Sequence, residues 1–343
     1  MSRSAVVLVT GPRTRRRHSY EYAGRQAFWQ QPSSVVGSIG VISLFFCPSD
    51  EVCFKHLEGG MYVKNETLFG EQDGLEMNEE GVGSWTAEKY RQFQLYAHQF
   101  TQGMKGKWKS LAYLDLYAGS GQSRVPETNE ILLGSPLIAL SLDVQFDRYV
   151  FCERDEAKLH ALESRVKQRF PDASVKFVRG DCDDPSFQLG NAIPNGALTL
   201  CFVDPYRLDI RFRTLSQLAA NRSIDFLCLL ASRMDAGRNP HNYPKEECKK
   251  VDLLLDSETW RDDWEKYRSG FAREPNLGDF ICVAFSRKME SLGYLPTELH
   301  EMRPIKTDGG VLIYHLALFA KHPKAKHFWQ QASKYSNPQR DLF

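Results

Sequence analysis

The sequence predicts an α/β fold, a doubly wound and mostly parallel seven-stranded sheet that ends in a C-terminal antiparallel hairpin. Three observations carry this. Between Leu111 and Leu230 short apolar, β-rich runs alternate with helical patterns, the rhythm of right-handed βαβ crossovers. The first of those runs ends in a Gly-rich turn, Asp115-Leu-Tyr-Ala-Gly-Ser-Gly121. Two late strands, about Leu299 to Pro304 and Val311 to Ala320, flank Asp308-Gly309-Gly310, a turn signal.

In chain order, residues 1–84 read as an irregular extension. Val35 to Phe46 is apolar but broken by Gly37 and Gly40, which suits a short hairpin, and glycines and acidic residues punctuate the stretch from Gly59 to Gly83. The main domain spans 85–343. It opens with a helix near Thr86, which is placed to cap it. Tyr90, Phe93, Ala97, Phe100 and Met104 step by three and four and give that helix one apolar face. Lys105, Lys107 and Lys109 follow, as suits a helix C-terminus. Strands are expected at Leu111 to Leu116, Arg148 to Cys152, Val175 to Val178, Ala197 to Val203 and Asp225 to Leu230. The fourth is crowded with Leu and Val, as in a sheet covered on both faces. Helices are expected at Ser135 to Leu142, with Pro136 near its start, at Asp155 to Phe170, at Arg211 to Ala220 and across Phe280 to Leu292. Leu159, Leu162 and Val166 share one face of the second of these. A charged, aromatic insertion occupies about 240–275.

Composition narrows the function classes. The 343 residues are 42% hydrophobic and 25% charged, enough for a large core. A formal net charge of +1 provides no global field for nucleic acid, although a local basic face is compatible with it. No run reaches the roughly 18 apolar residues of a membrane span. The N-terminal order, apolar Ala5 to Val9 before basic Arg13 and Arg15 to Arg17, is the reverse of a secretory signal. Eight cysteines are too few for a disulfide scaffold, and Cys201, Cys228 and Cys282 lie in apolar runs where a reduced thiol packs as a small hydrophobe. A cytoplasmic protein without membrane contact is expected. Cys47 and Cys53, with His56 nearby, lack the spacing and the second pair of a zinc knuckle, so no metal site is expected.

Four strand ends carry candidate chemistry. At Asp115 to Gly121 the chain makes a tight turn in which Gly119 and Gly121 let the backbone approach a ligand with no Cβ in the way. The third glycine of a dinucleotide fingerprint is missing, which argues against a nicotinamide site. Glu153, at the end of the second strand, can accept both hydroxyls of a ribose. Asp181, in Gly180-Asp-Cys-Asp183, can accept from an adenine amino group. Asp204, Pro205 and Tyr206 follow the fourth strand. There the Asp carboxylate and the Pro carbonyl can accept hydrogens from an attacking amine, and Tyr206 can stack on a flat substrate. Together these outline a site for S-adenosylmethionine (SAM) facing an acceptor site. Methyl transfer needs little covalent help, because the sulfonium is already activated and the protein mainly aligns donor and acceptor.

These segments in this order resemble class I SAM-dependent methyltransferases, and within them the three-Cys-motif partner protein family. The likeness spans roughly Trp85 to Phe343. It is carried by Lys89 and Tyr96 ahead of the Gly-rich strand, and by a D-x-F-A-G-x-G turn with Tyr117 in place of Phe. Asp204 to Tyr206, Gly293-Tyr294 before the last hairpin, and Ala325 and Trp329 in the closing helix complete it. The resemblance implies a Rossmann-like class I methyltransferase fold and SAM held by Asp115, Tyr117, Gly119, Gly121, Glu153 and Asp181. It also implies a bacterial setting and a partner, a radical-SAM-like protein bearing three clustered cysteines. Lys89 and Arg207 are the substrate-binding candidates. The single proline after Asp204 departs from the D-P-P-Y of adenine-N6 methyltransferases, which weakens a base-amine acceptor, while Arg207 suits a phosphate-bearing one.

Nucleic acid is a candidate partner on two further segments. Lys321, His322, Lys324, Lys326 and His327 cluster near Trp329 and Tyr335. Trp260, Arg261, Trp264, Lys266, Tyr267, Arg268, Phe271 and Arg273 interleave aromatics with cations, a mixture that can stack bases and grip phosphates. The terminal Gln339 to Phe343 resembles the short sliding-clamp-binding peptides of bacterial replication proteins. The leading expectation is a SAM-dependent methyltransferase acting on a nucleic acid or nucleotide-like acceptor. The alternative is a non-catalytic SAM-binding or interaction partner of the three-Cys-motif protein.

Overall fold

The computed structural model describes residues 70–184, 188–236, 240–273 and 275–335. All of them belong to the second of the two units into which the chain divides, Leu57–Phe343. The hairpin expected near Val35 to Phe46, the group of Cys47, Cys53 and His56, and the terminal Gln339 to Phe343 lie outside the described residues.

The strands are β1 Leu111–Asp115, β2 Gln122–Arg124, β3 Ile131–Leu133, β4 Arg148–Glu153, β5 Val175–Arg179, β6 Leu198–Val203, β7 Ser223–Leu230, β8 Arg303–Lys306 and β9 Leu312–Phe319. The helices are α1 Trp85–Met104, α2 Ser135–Leu140, α3 Glu156–Arg169, α4 Phe212–Ala219, α5 Lys250–Leu255, α6 Trp260–Ser269, α7 Leu277–Ser291 and α8 Pro323–Tyr335. Seven strands form one sheet in the order β5-β4-β1-β6-β7-β9-β8. Neighbours pair in parallel except at β9, which runs against both β7 and β8. This is the Rossmann-like class I methyltransferase fold, with the expected antiparallel hairpin at its end.

Central strands are largely apolar because helices cover both faces. Every residue of β1 and β6 is buried, whereas the edge strand β5 is partly exposed along its length. Register sorts the two faces. Asp115 lies opposite Phe202, and Tyr113 opposite Leu200. Phe93 of α1 packs on both Tyr113 and Phe202, so α1 covers that face. On the other face Phe319 of β9 meets Phe285 of α7, which meets Phe212 of α4. The expected apolar face of α1 is buried from Tyr90 to Phe100.

Some expectations are corrected. Thr86 does not cap α1. Its hydroxyl accepts the Gly83 N–H in the turn before the helix, and the cap position falls to Ser84, whose side chain makes no capping bond. The first late strand starts further on, at Arg303, because Leu299–Glu301 is a turn of 3₁₀ helix. Glu298 and Glu301 close a reciprocal capping box there, which outweighs the strand preference of the apolar residue between them. The β2–β3 hairpin was not anticipated, nor was the π-helical turn Ser232–Ala236 that follows β7. Among the described residues no helix is long and apolar enough to cross a membrane.

Candidate functional site

Strand order reverses between β1 and β6, and in open α/β sheets ligands sit in the crevice beyond the carboxyl ends of the strands at such a switch point. The Gly-rich turn follows β1 and Asp204 follows β6, so the two halves of the expected site flank that crevice.

On the cofactor side, Asp115 is fully buried and accepts from the Tyr113 hydroxyl at 2.8 Å and the Tyr117 N–H at 3.2 Å. Burial pushes its pKa up to about 7, against the pull of hydrogen bonds from Ser135, Tyr113 and the Tyr117 N–H. Gly119 and Gly121 both have positive φ, +61° and +82°, which favours glycine. A Cβ at Gly121 would fall 2.7 Å from Leu162 Cδ1. Glu153 reaches across from β4: its Oε2 accepts the Gly119 N–H at 2.9 Å and its Oε1 accepts the Asp155 N–H at 2.8 Å. The Tyr117 hydroxyl interacts electrostatically with the Cys182 thiol on the loop after β5. Asp181 is exposed on that loop, where its carboxylate accepts the Asp183 N–H at 2.9 Å.

On the acceptor side, Asp204 Oδ2 lies 2.7 Å from Lys89 Nζ, and both side chains are nearly buried, at 13% and 9% exposure. The pairing follows from parity. Asp204 is two residues beyond Phe202, on the face that α1 covers, and Lys89 is one helical turn before Phe93, which packs on Phe202. Burial alone would lower the Lys89 pKa, but Asp204, helped by Tyr90, reverses this and raises it. Lys89, expected to meet substrate, is therefore engaged by Asp204. Pro205 is buried, whereas Tyr206 and Arg207 are exposed. The Arg207 guanidinium lies 5.2 Å from the Tyr206 ring centroid. Behind that ring is Gly81, where a Cβ would sit 2.3 Å from the ring carbons. Tyr314 of β9 interacts electrostatically with Lys89, Asp204 and Tyr206, and donates to Met234 Sδ on the π-helical turn at 2.8 Å.

Two residues of this region were missed by sequence reasoning. Arg165 of α3 is fully buried. It grips both oxygens of Asp73 at 2.7 Å, the Glu76 carbonyl at 2.8 Å and the Ser120 carbonyl at 2.6 Å. An arginine beside Leu162 and Val166, on the apolar side of its helix, is the signal that could have found it. Asn78 carries no such signal. Its N–H donates to Gln122 O, its carbonyl accepts from Arg124 N, and its side-chain Oδ1 accepts the Ser120 N–H at 3.2 Å. Residues 70–84 thus lie along β2 and over the Gly-rich turn.

The aromatic and basic segments turn out mainly structural. Trp260 and Trp264 are buried, so they are not available to stack bases. Trp260 Nε1 donates to Asp252 at 2.7 Å, and Arg261 bonds Asp252 and the carbonyls of Pro244, Lys245 and Cys248. A cleft of about 630 Å³ lined by Arg233, His241 and Arg268 lies beside α6, but Arg233 is paired with Asp279 and Arg268 with Glu265. In the closing segment Trp329 is buried and donates to Glu301 O, Lys326 pairs with Glu301, and Lys321 lies over the Tyr294 ring. Tyr267 and Phe271 remain exposed. Asp181, Cys182 and Asp183 bring possible metal-ligand atoms within 4.8 Å of one another. Asp183 is already engaged by Thr214 and the Arg211 N–H, and burial pushes the Cys182 thiol up to about 12.

The chain matches no known protein family and no curated protein. Among solved structures it is similar to Trm1 from Pyrococcus horikoshii with S-adenosyl-L-methionine, at 10% identity over 72% of this chain and 58% of that one, TM-score 0.38. It is similar to the magnesium protoporphyrin IX methyltransferase of Synechocystis with bound SAH, at 8% identity over 68% and 84%, TM-score 0.36. It is also similar to M. jannaschii TYW2 in complex with AdoMet, at 11% identity over 66% and 77%, TM-score 0.30. The strand order and register by themselves define the fold.

Proposed function

We propose that this chain is a SAM-dependent methyltransferase whose acceptor is a flat, nucleotide-like molecule. One observation carries the proposal: two strand-end carboxylates flank the switch point, Glu153 bonded to the Gly-rich turn and Asp204 held by Lys89. SAM, when bound, supplies an activated methyl sulfonium. The residues fit it. A carboxylate has about four lone-pair positions, so Glu153 keeps acceptor capacity for ribose hydroxyls while holding Gly119. Asp115, buried beside hydroxyl and N–H donors, suits a crevice that receives a positive charge, which would favour its ionised form.

Lys89 holds Oδ2 of Asp204, which leaves Oδ1 to meet an N–H or O–H of the acceptor. The same carboxylate can take the proton that an amine loses on methylation. Tyr206, with Arg207 over its ring, forms a flat rim beside it and supports a planar acceptor carrying an anionic group. A polymeric nucleic acid draws less support, because three of the tryptophans in the candidate binding segments are buried. The three-Cys-motif radical-SAM-like partner and the clamp-binding terminus rest on resemblance, and co-purification with each tests them. A non-catalytic role is the second reading. The ion pair favours it, since Lys89 already balances the charge of the carboxylate that faces an acceptor.

Titration calorimetry with SAM and its demethylated product tests the first step. Binding is expected in the wild type and loss of it in Glu153→Ala. Labelled SAM then tests transfer to nucleotides, RNA and DNA, and Asp204→Ala should bind SAM but transfer nothing. Well-folded protein that binds neither ligand would end the methyltransferase proposal, and unchanged transfer by Asp204→Ala would remove Asp204 from it.

A further inference from the structure

Residues 70–84 belong to no motif, yet they form one wall of the Gly-rich turn. The chain there is fixed at several points. Gly70 N–H donates to Ile131 O, Asn78 exchanges backbone hydrogen bonds with Gln122 and Arg124, and Arg165 clamps Asp73 and Glu76. The Asn78 side chain is thereby laid on the turn. Its Oδ1 takes the Ser120 N–H at 3.2 Å, which identifies the other amide atom as the donor. That donor, Nδ2, lies only 2.5 Å from where a Cβ on Gly119 would be. Gly119 is therefore glycine for two reasons, its positive φ and the amide packed on its face.

The turn thus has a carboxylate on one side and an amide donor on the other. Glu153 accepts the Gly119 N–H and Asn78 accepts the Ser120 N–H, one residue apart. The two ends of SAM differ in the same sense. Its ribose offers hydroxyl donors and its methionine end offers a carboxylate. A carboxylate brought to Glu153 would meet like charge, whereas one brought to Asn78 would meet an N–H. The neighbouring acid Glu79 is drawn toward Arg124, at 3.4 Å, and Glu80 is exposed. We infer that Asn78 is a cofactor-binding residue, that its Nδ2 donates to the methionine carboxylate of SAM, and that residues 70–84 are the wall against which the amino-acid end of the cofactor lies. This rests on the SAM proposal above, and on the cofactor side of it alone.

The test uses the full chain and two ligands. One is S-adenosylhomocysteine, which keeps the amino-acid end. The other is 5′-methylthioadenosine, which lacks it. Asn78→Asp keeps an oxygen for Ser120 N–H and replaces the donor by a negative charge, and Asn78→Ala removes both. Calorimetry is expected to show a loss of about tenfold or more in S-adenosylhomocysteine affinity for each variant, as removal of a hydrogen bond to a charged group commonly gives. 5′-Methylthioadenosine affinity should be unchanged. Hydrogen exchange on the wild type supplies a second readout: S-adenosylhomocysteine should slow exchange across 76–80, and 5′-methylthioadenosine should not. Wild-type binding that Asn78→Asp leaves intact, or equal losses for both ligands, would overturn the assignment while leaving the SAM proposal standing. Wild-type protein that binds neither ligand would overturn both.

Discussion

Substituting Lys89 by Met removes the cation from the ion pair beneath the acceptor site, and the cost can be worked from the geometry. At 2.7 Å, the separation of Lys89 Nζ and Asp204 Oδ2, Coulomb attraction is about 6 kcal/mol at an effective dielectric of about 20. Both groups lose solvation to form the pair, so its net worth against two apolar residues is near zero. Removing one partner is different. At 13% exposure Asp204 is too enclosed for water to replace the ammonium, and the single variant should lose about 3–5 kcal/mol. Asp204→Leu should lose a similar amount, and the double variant Lys89→Met/Asp204→Leu markedly less than the sum. Urea unfolding of the four proteins measures this. The raised pKa of Lys89 makes the contribution fully present below the ordinary lysine value of 10.5 and lost only as pH rises above it. Ionisation of Lys89 itself should therefore add no difference in wild-type stability between pH 6 and pH 9. Strict additivity, or a cost under about 1 kcal/mol for Lys89→Met, as for an exposed pair, would refute the account of a buried, coupled pair.

Two other outcomes follow from buried polar groups. Asp115 has its pKa raised by burial to about 7 from 3.8, so its contribution to stability is full below pH 3.8 and is lost as pH rises toward 7. Asp115→Asn should flatten that dependence and gain up to about 4 kcal/mol over the wild type at pH 8, read by unfolding at pH 4.5 and 8. Trp260→Phe should cost about 1–3 kcal/mol, because Asp252 loses a buried donor, and urea unfolding reads it directly.

Much of the scaffold was legible because a parallel sheet covered on both sides writes itself as apolar runs, as β1, β6 and β7 do. The Gly-rich turn was legible for a similar reason, since a positive φ at Gly119 and Gly121 restricts the residue type. The β2–β3 hairpin was not, because strands of three residues are too short to show a period. Nor was the Lys89–Asp204 pair, whose members are 115 residues apart and meet only once the pleat and the helix face are known. The insertion was only partly legible for a different reason. Interleaved aromatics and cations look alike whether they face solvent or fasten a helix pair, and Trp260 and Arg261 do the latter around Asp252.

Arg165 bears on where the domain begins. The sequence suggests a start at Trp85, after an irregular extension. Yet the guanidinium of Arg165 is fully buried, and its counterion is Asp73. A fragment starting at Trp85 would keep the arginine and discard its anion, along with the Glu76 carbonyl that accepts a hydrogen bond from it. Such a fragment would carry an uncompensated cation in its interior, one residue from Val166 and three from Leu162. The functional boundary of this domain is thus drawn by a charge, upstream of the first helix, and any shortened version should retain the chain from Gly70 onward.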